Sequence, residues 1–322
     1  AGLENKPGAA ETMIRKAIAV EPKNGDALRA LGRLQFTQRK YADAEASFKK
    51  AVSLDPKDLA AYIDLAENYL NGMKKPAAAA DAYRKVIELQ PEHPGAHMGL
   101  AAALGVQGDV AGAAAEYRAA AKLDPGSPLP MHRLGVLFAQ RGQLAESLSA
   151  LDASLSIAQQ TKAVYVPGLI DRGDVHLASR NLEKALADYE AAVKADPKNA
   201  LALLKAGTAL QLQQKWPEAE RYYLRAIEAD PNMYAAYNNL AWIAATQNRK
   251  LDEALRWSKR AVEIAPQQPA LYDTLATVHR ARGEKELAIA AWKQAASIAP
   301  PQATYLYRLG VALEDAGRAK EA

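Results

Sequence analysis

The sequence predicts an all-α fold, an α-solenoid of stacked antiparallel helix pairs, from three columns of residues. The first is proline: Pro22, Pro56, Pro91, Pro125, Pro197, Pro231, Pro266 and Pro300 are separated by 34, 35, 34, 72, 34, 35 and 34 residues. The gap of 72 holds two repeats, with Gln159 where a proline would fall, so one repeat carries about four extra residues between Gln159 and Gly168. The second column follows each proline by about ten residues and holds only small side chains: Gly32, Ala66, Ala101, Gly135, Gly173, Gly207, Ala241, Ala276 and Gly310. The third is alanine, further along each repeat, as in Ala44, Ala113, Ala185, Ala219 and Ala288. This repetition overrides the two-domain expectation that 322 residues would otherwise carry.

Each repeat reads as two helices. Around the small column, large residues recur four before, one before and three after, as in Tyr62, Leu65 and Tyr69 around Ala66, which places them on one face of a helix A. Helix B carries an alanine, a large residue four later and a small one three after that: Ala44, Phe48, Ala51; Ala185, Tyr189, Ala192; Ala288, Trp292, Ala295. Proline stops helix B by lacking an N–H and by disfavouring helix in the residue before it, where Asp55, Asp124, Asp196 and Asp230 stand. Gly72, Gly108, Gly142, Gly283 and Gly317 fall between A and B, where a left-handed residue closes a helix. The order is a lone helix B at 10–21, eight full pairs over 25–302, an insertion near 160–167 and a last helix A at 303–314, a single array over 1–322. The insertion lengthens a helix or forms a loop, and a sub-array boundary near residue 165 is compatible with it. Arg172, in a column of leucines, has Asp188 on the following helix as a partner, and Trp257 with Ser258 replaces the simple helix-B aromatic in the seventh repeat.

Composition removes several chemistries. With no cysteine there is no disulfide framework, thiolate zinc site or cysteine nucleophile. The 41 basic and 37 acidic residues alternate along the helices, which argues against a nucleic-acid partner. No apolar run reaches the ~18 residues of a membrane span. The start at Ala1 carries neither an initiator Met nor a charged-then-apolar segment, and both ends fall in or beside an A–B turn, which reads as a processed piece of a longer array. His93 and His97 have the spacing of helical metal ligands, but Pro94 and Gly95 intervene, so no metal is expected. His176 and His279 fall in a core column, and no nucleophile elbow, P-loop or dinucleotide glycine pattern is present, so neither catalysis nor a cofactor is expected.

These columns resemble the tetratricopeptide repeat, from Ala10 to Ala322. The resemblance implies a right-handed superhelix whose concave wall, mainly helix A, binds peptides or partner proteins. Carried onto this sequence, the groove residues are Arg29, Arg33, Met98, Val136, Leu177, Leu204, Leu212, Asn238 and Trp242, with Asp64, Glu67, His132, Ile170, Thr246, Thr277, Arg280 and Tyr307 as neighbours. The middle of that face is free of lysine and apolar. Members that clamp a terminal carboxylate use Lys, Asn and Arg, but here Arg29 and Arg33 are followed by Asp64 and Glu67, which would repel it. The asparagine ladder of the N-acetylglucosamine transferases keeps Asn239 alone among nine positions. Runs from Tyr237 to Ala322, such as YNNLAW and LDEALRWSKRAVEIAP, are similar to the closing repeats of bacterial proteins of exopolysaccharide export, which tilts the setting towards a bacterial periplasm or membrane-associated assembly. The first functional expectation is a non-catalytic scaffold for a protein or peptide ligand. The alternatives are a targeting arm of a larger enzyme, such as a glycosyltransferase of that type, and a homo-oligomer joined through its terminal helices.

Overall fold

The computed structural model describes residues 7–298 and 303–318. Among them are eighteen α-helices and no strand. The chain divides into two compact units, with the division between Ala163 and Val164. The first holds α1 (Pro7–Val20), α2 (Gly25–Thr37), α3 (Tyr41–Leu54), α4 (Leu59–Glu67), α5 (Pro76–Leu89), α6 (Pro94–Gln107), α7 (Val110–Leu123), α8 (Leu129–Gln140) and α9 (Leu144–Gln160). The second holds α10 (Val166–Ala178), α11 (Leu182–Ala195), α12 (Ala200–Leu212), α13 (Trp216–Ala229), α14 (Tyr234–Thr246), α15 (Leu251–Ile264), α16 (Pro269–Ala281), α17 (Lys285–Ile298) and α18 (Ala303–Asp315). Pro300 of the proline column lies outside the described residues.

Within a unit the helices pack as sequential pairs, each A against its own B. Close packing explains the small columns. Cβ atoms built on Gly32, Gly173 and Gly207 would stand 2.5, 2.5 and 2.7 Å from the rings of Phe48, Tyr189 and Tyr223, sixteen residues ahead. At the equivalent positions Ala66, Ala101, Ala241 and Ala276 are fully buried. Helices of 13 or 14 residues are marginal alone, so this mutual burial is what holds them.

Caps set the ends. Asp55 precedes Pro56 with an extended φ of −132°, as expected of a residue before proline, and ends α3. Asn24, Asp58 and Asn199 then open the next helix by accepting the backbone N–H three residues on, at 2.8, 3.0 and 3.0 Å. At the A–B turns a left-handed residue recurs, the expected Gly108, Gly142, Gly283 and Gly317 at four of them but Arg39, Arg180, Gln214 and Asn248 at others. The turn bonds are the same in either case: Asp109 N to Leu104 O at 3.0 Å, Lys40 N to Gln35 O at 2.8 Å.

Gly72 departs from the expectation of a left-handed cap. A π-helical turn, Asn68–Gly72, extends α4, and Lys74 takes the left-handed conformation instead, with φ of 56°. Gly72 is needed for space: a Cβ there would meet the Tyr41 ring at 2.5 Å. The insertion is divided between both anticipated forms, since α9 runs to 17 residues and a turn follows at Thr161–Lys162. Arg172 grips Asp188 with two bonds of 2.9 and 2.6 Å, and the carboxylate is buried. In the seventh repeat Ser258 is the buried residue and Trp257 packs half-buried beside it, leaving α15 at 14 residues.

Candidate functional site

The candidate residues lie on the A helices: α2, α6, α8, α10, α12 and α14. In the first unit Arg29 and Arg33 converge on buried Asp64. Arg33 Nε donates to Asp64 Oδ2 at 2.7 Å, while Arg29 lies 3.5 Å from the same oxygen and 3.3 Å from Asp58. Two carboxylates thus neutralise both guanidinium groups, consistent with a poor grip on an incoming anion. Arg33, Phe36, Ile63, Asp64 and Glu67 border a cleft of 370 Å³. Burial, and then the charge of Asp64, push the Glu67 carboxyl above the ordinary carboxylate range, with Arg33 opposing. A raised folded value means that stability is lost as pH rises from the unfolded to the folded value of this group, and is recovered below both. Glu67→Gln is therefore expected to raise the melting temperature at about pH 7 by roughly 1 °C, a surface-screened effect, and to change nothing near pH 3. Thermal melts at the two pH values check this, and equal shifts at both refute it.

Met98 and Val136 are half-buried, and Met98 packs on the first unit's core. His132, expected in the groove, is buried at 6% exposure, and in the second unit Ile170 is likewise buried at 6%. Both are turned into the packing because pair and inter-pair contacts use more of helix A than its small column indicates.

In the second unit Leu177, Leu204 and Trp242 are half-buried against core clusters, with Trp242 tilted on Trp216 at 6.1 Å between ring centroids. Leu212 is exposed at 54%, and Asn238 donates to Asn239 at 3.3 Å. The face is not purely apolar. Lys205, beside Leu204, donates to Asp174 at 2.9 Å, and Asp174 also accepts from Tyr189 at 2.6 Å.

In the second unit candidate residues converge on α14, α16 and α18. Trp242, Thr246, Thr277, Arg280, Tyr307, Arg308 and Val311 line a cleft of 380 Å³ with Trp292 of α17. Trp292, read from the sequence as packing alone, is 1% exposed and donates its indole N–H to Asp273 Oδ1 at 2.8 Å. Arg308 is bonded to the other oxygen of that carboxylate. The sequence pattern ranks Trp292 as an ordinary helix-B aromatic. Its nitrogen needs an acceptor when buried, and Asp273, nineteen residues earlier, was the signal available. Gly99 was also missed: a Cβ there would stand 2.3 Å from Tyr83, whose phenol burial pushes up to about 12.

The histidines are engaged locally. His93 caps α6 by accepting from Ala96 N at 3.0 Å, while His97 bonds Glu116 at 2.6 Å and the Pro91 carbonyl at 2.9 Å. His279 is buried and bonds Glu284 at 2.6 Å; His176, half-buried, lies 3.9 Å from Asp188. Among the described residues no group of three metal-ligating side chains forms, and no helix is long and apolar enough to cross a membrane.

A family model described as tetratricopeptide repeat matches residues 4–58, 64–128, 170–232, 204–269 and 274–322, more than half of the chain. Human tetratricopeptide repeat protein 6 is 25% identical over 228 residues, 70% of this chain and 43% of that protein. The peroxisomal targeting signal receptor of Komagataella phaffii is 29% identical over 204 residues, 63% of this chain and 30% of the receptor. The chain thus spans less than half the length of these relatives. Among solved structures, a chain of the APC/C hetero-tetramer Cut9–Hcn1 is similar in fold, with a TM-score of 0.58 at 16% identity, covering 96% of this chain and 60% of that one.

Proposed function

This chain belongs to the tetratricopeptide repeat family, and from that premise we propose that it is a non-catalytic scaffold holding a peptide or helix of a partner protein on its helix-A face. The observation that carries this is the cleft on α14, α16 and α18, where aromatic walls and polar groups meet on one surface. The signal receptor among its relatives supports the reading. We further assign the partner to a bacterial envelope or secretion assembly, on the closing runs from Tyr237 to Ala322, and treat 1–322 as one array because its columns recur in both units. The alternative of self-assembly draws on exposed Met13 and Val20 of α1 and Leu306 and Tyr307 of α18. The relatives' greater length keeps the targeting-arm alternative.

Half-buried Trp242 and Leu204 are poor probes, because replacing them disturbs the core. Leu212 and Tyr307, exposed at 54% and 73%, are better ones. Leu212→Asp with Tyr307→Asp is expected to remove specific partners, identified by mass spectrometry after capture from lysate, with helical circular dichroism unchanged. An identical captured set in wild type and variant refutes the reading.

A further inference from the structure

We propose that the cleft on α14, α16 and α18 binds a peptide segment bearing a carboxylate beside an aromatic side chain, and that Arg280 receives the carboxylate. The inference rests on the scaffold reading and deepens it by naming the ligand chemistry. Its starting point is a difference between two arginines in one cleft. Arg308 is committed to Asp273, whose second oxygen already accepts from Trp292. Arg280 has no acidic partner among the described residues. Its guanidinium carbon lies 5.5 Å from the centroid of the Trp292 ring, and the side chain is exposed to the cleft. The ring's negative face holds the cation without using its N–H donors.

The charges at the cleft are Arg280, Arg308 and Asp273, a net single positive charge located on Arg280. A planar fork of free donors matches a carboxylate, which takes two parallel bonds. The hydroxyl hydrogens of Thr246 and Thr277 go to backbone carbonyls, Thr246 to Trp242 O at 2.9 Å and Thr277 to Asp273 O at 2.9 Å. Their oxygens therefore offer lone pairs to the cleft and suit the amide N–H groups of a peptide. Trp242 and Tyr307 supply the apolar wall, and Tyr307 is 73% exposed with nothing stacked on it among the described residues. A carboxylate, backbone amides and an aromatic side chain together describe an acidic, aromatic peptide segment.

The test is selection of a random dodecapeptide library on immobilised wild-type chain and on Arg280→Gln, followed by affinity measurement on the enriched peptides. Wild type is expected to enrich peptides pairing Asp or Glu, or a free C-terminus, with an aromatic residue. Arg280→Gln is expected to bind them about tenfold more weakly, the loss of one charge-assisted pair. Replacing the acidic residue by its amide, or amidating the terminus, tells which carboxylate is used, and either loss supports the proposal. Enriched peptides without an acidic group, held equally by both chains, overturn the carboxylate assignment and leave the scaffold reading standing. Retention of no peptide by either chain overturns both. Arg280 is exposed, so the variant keeps its fold, which unchanged helical circular dichroism verifies.

Discussion

Trp292→Ala is expected to destabilise the second unit by about 3–5 kcal/mol, the range for deleting a large buried aromatic. Trp292 is 1% exposed and belongs to a core cluster with Ala276, Ala288, Ile289, Ala312 and Leu313, so its loss opens a cavity in close-packed surroundings that relax only in part. The bond of 2.8 Å to Asp273 is lost with it, leaving one oxygen of that carboxylate without its donor. Trp292→Phe separates the two effects, keeping most of the ring volume and removing the N–H. Chemical denaturation followed by circular dichroism measures both variants. A cost below about 1 kcal/mol for the alanine variant would show that this ring is not the keystone of α16, α17 and α18.

The second large effect is Gly207→Leu. Its first added carbon would stand 2.7 Å from the Tyr223 ring, closer than real carbons approach. Tyr223 has no exposed surface, and its hydroxyl donates to Gln211 at 2.7 Å, so the ring is held at both ends. Burial pushes that phenol up to about 12, keeping it a neutral donor through the neutral range. Overpacking by about 1–3 kcal/mol follows, a drop of roughly 5 °C in melting temperature. Gly310 occupies the same column, yet a Cβ there meets nothing within 4 Å. Gly310→Ala is therefore expected to stabilise, by about 1 kcal/mol of helix propensity. Melting shifts of the same sign for both variants would refute the packing account of the column.

Much of the fold is legible because repetition amplifies weak local signals. The lone helix expected at 10–21 is placed at Pro7–Val20 and the helix expected at 303–314 at Ala303–Asp315, since helix ends depend on proline, caps and turn bonds within a few residues. The Arg172–Asp188 pair was legible for the same reason, one residue breaking an otherwise apolar column. Gly72 was misread, because a π-helical turn displaces the left-handed position by two residues and nothing local announces it. The candidate site was legible only as a list. His132 and Ile170 belong to the core, Lys205 and Asp174 put an ion pair beside Leu204, and Trp292 joins a cleft that helix-A periodicity alone does not assign to it.

The sequence by itself determined the period, the identity of helices A and B, the small and aromatic columns, and the family, because each depends on spacing along the chain. Tertiary structure decided which side chains remain available. Arg29, Arg33 and Arg308 are held by carboxylates 29 to 35 residues away in the sequence, while Arg280 rests on an aromatic face with its donors free. Charge neutralisation depends on distances of a few ångströms between neighbouring helix pairs, and a one-dimensional pattern does not encode those distances.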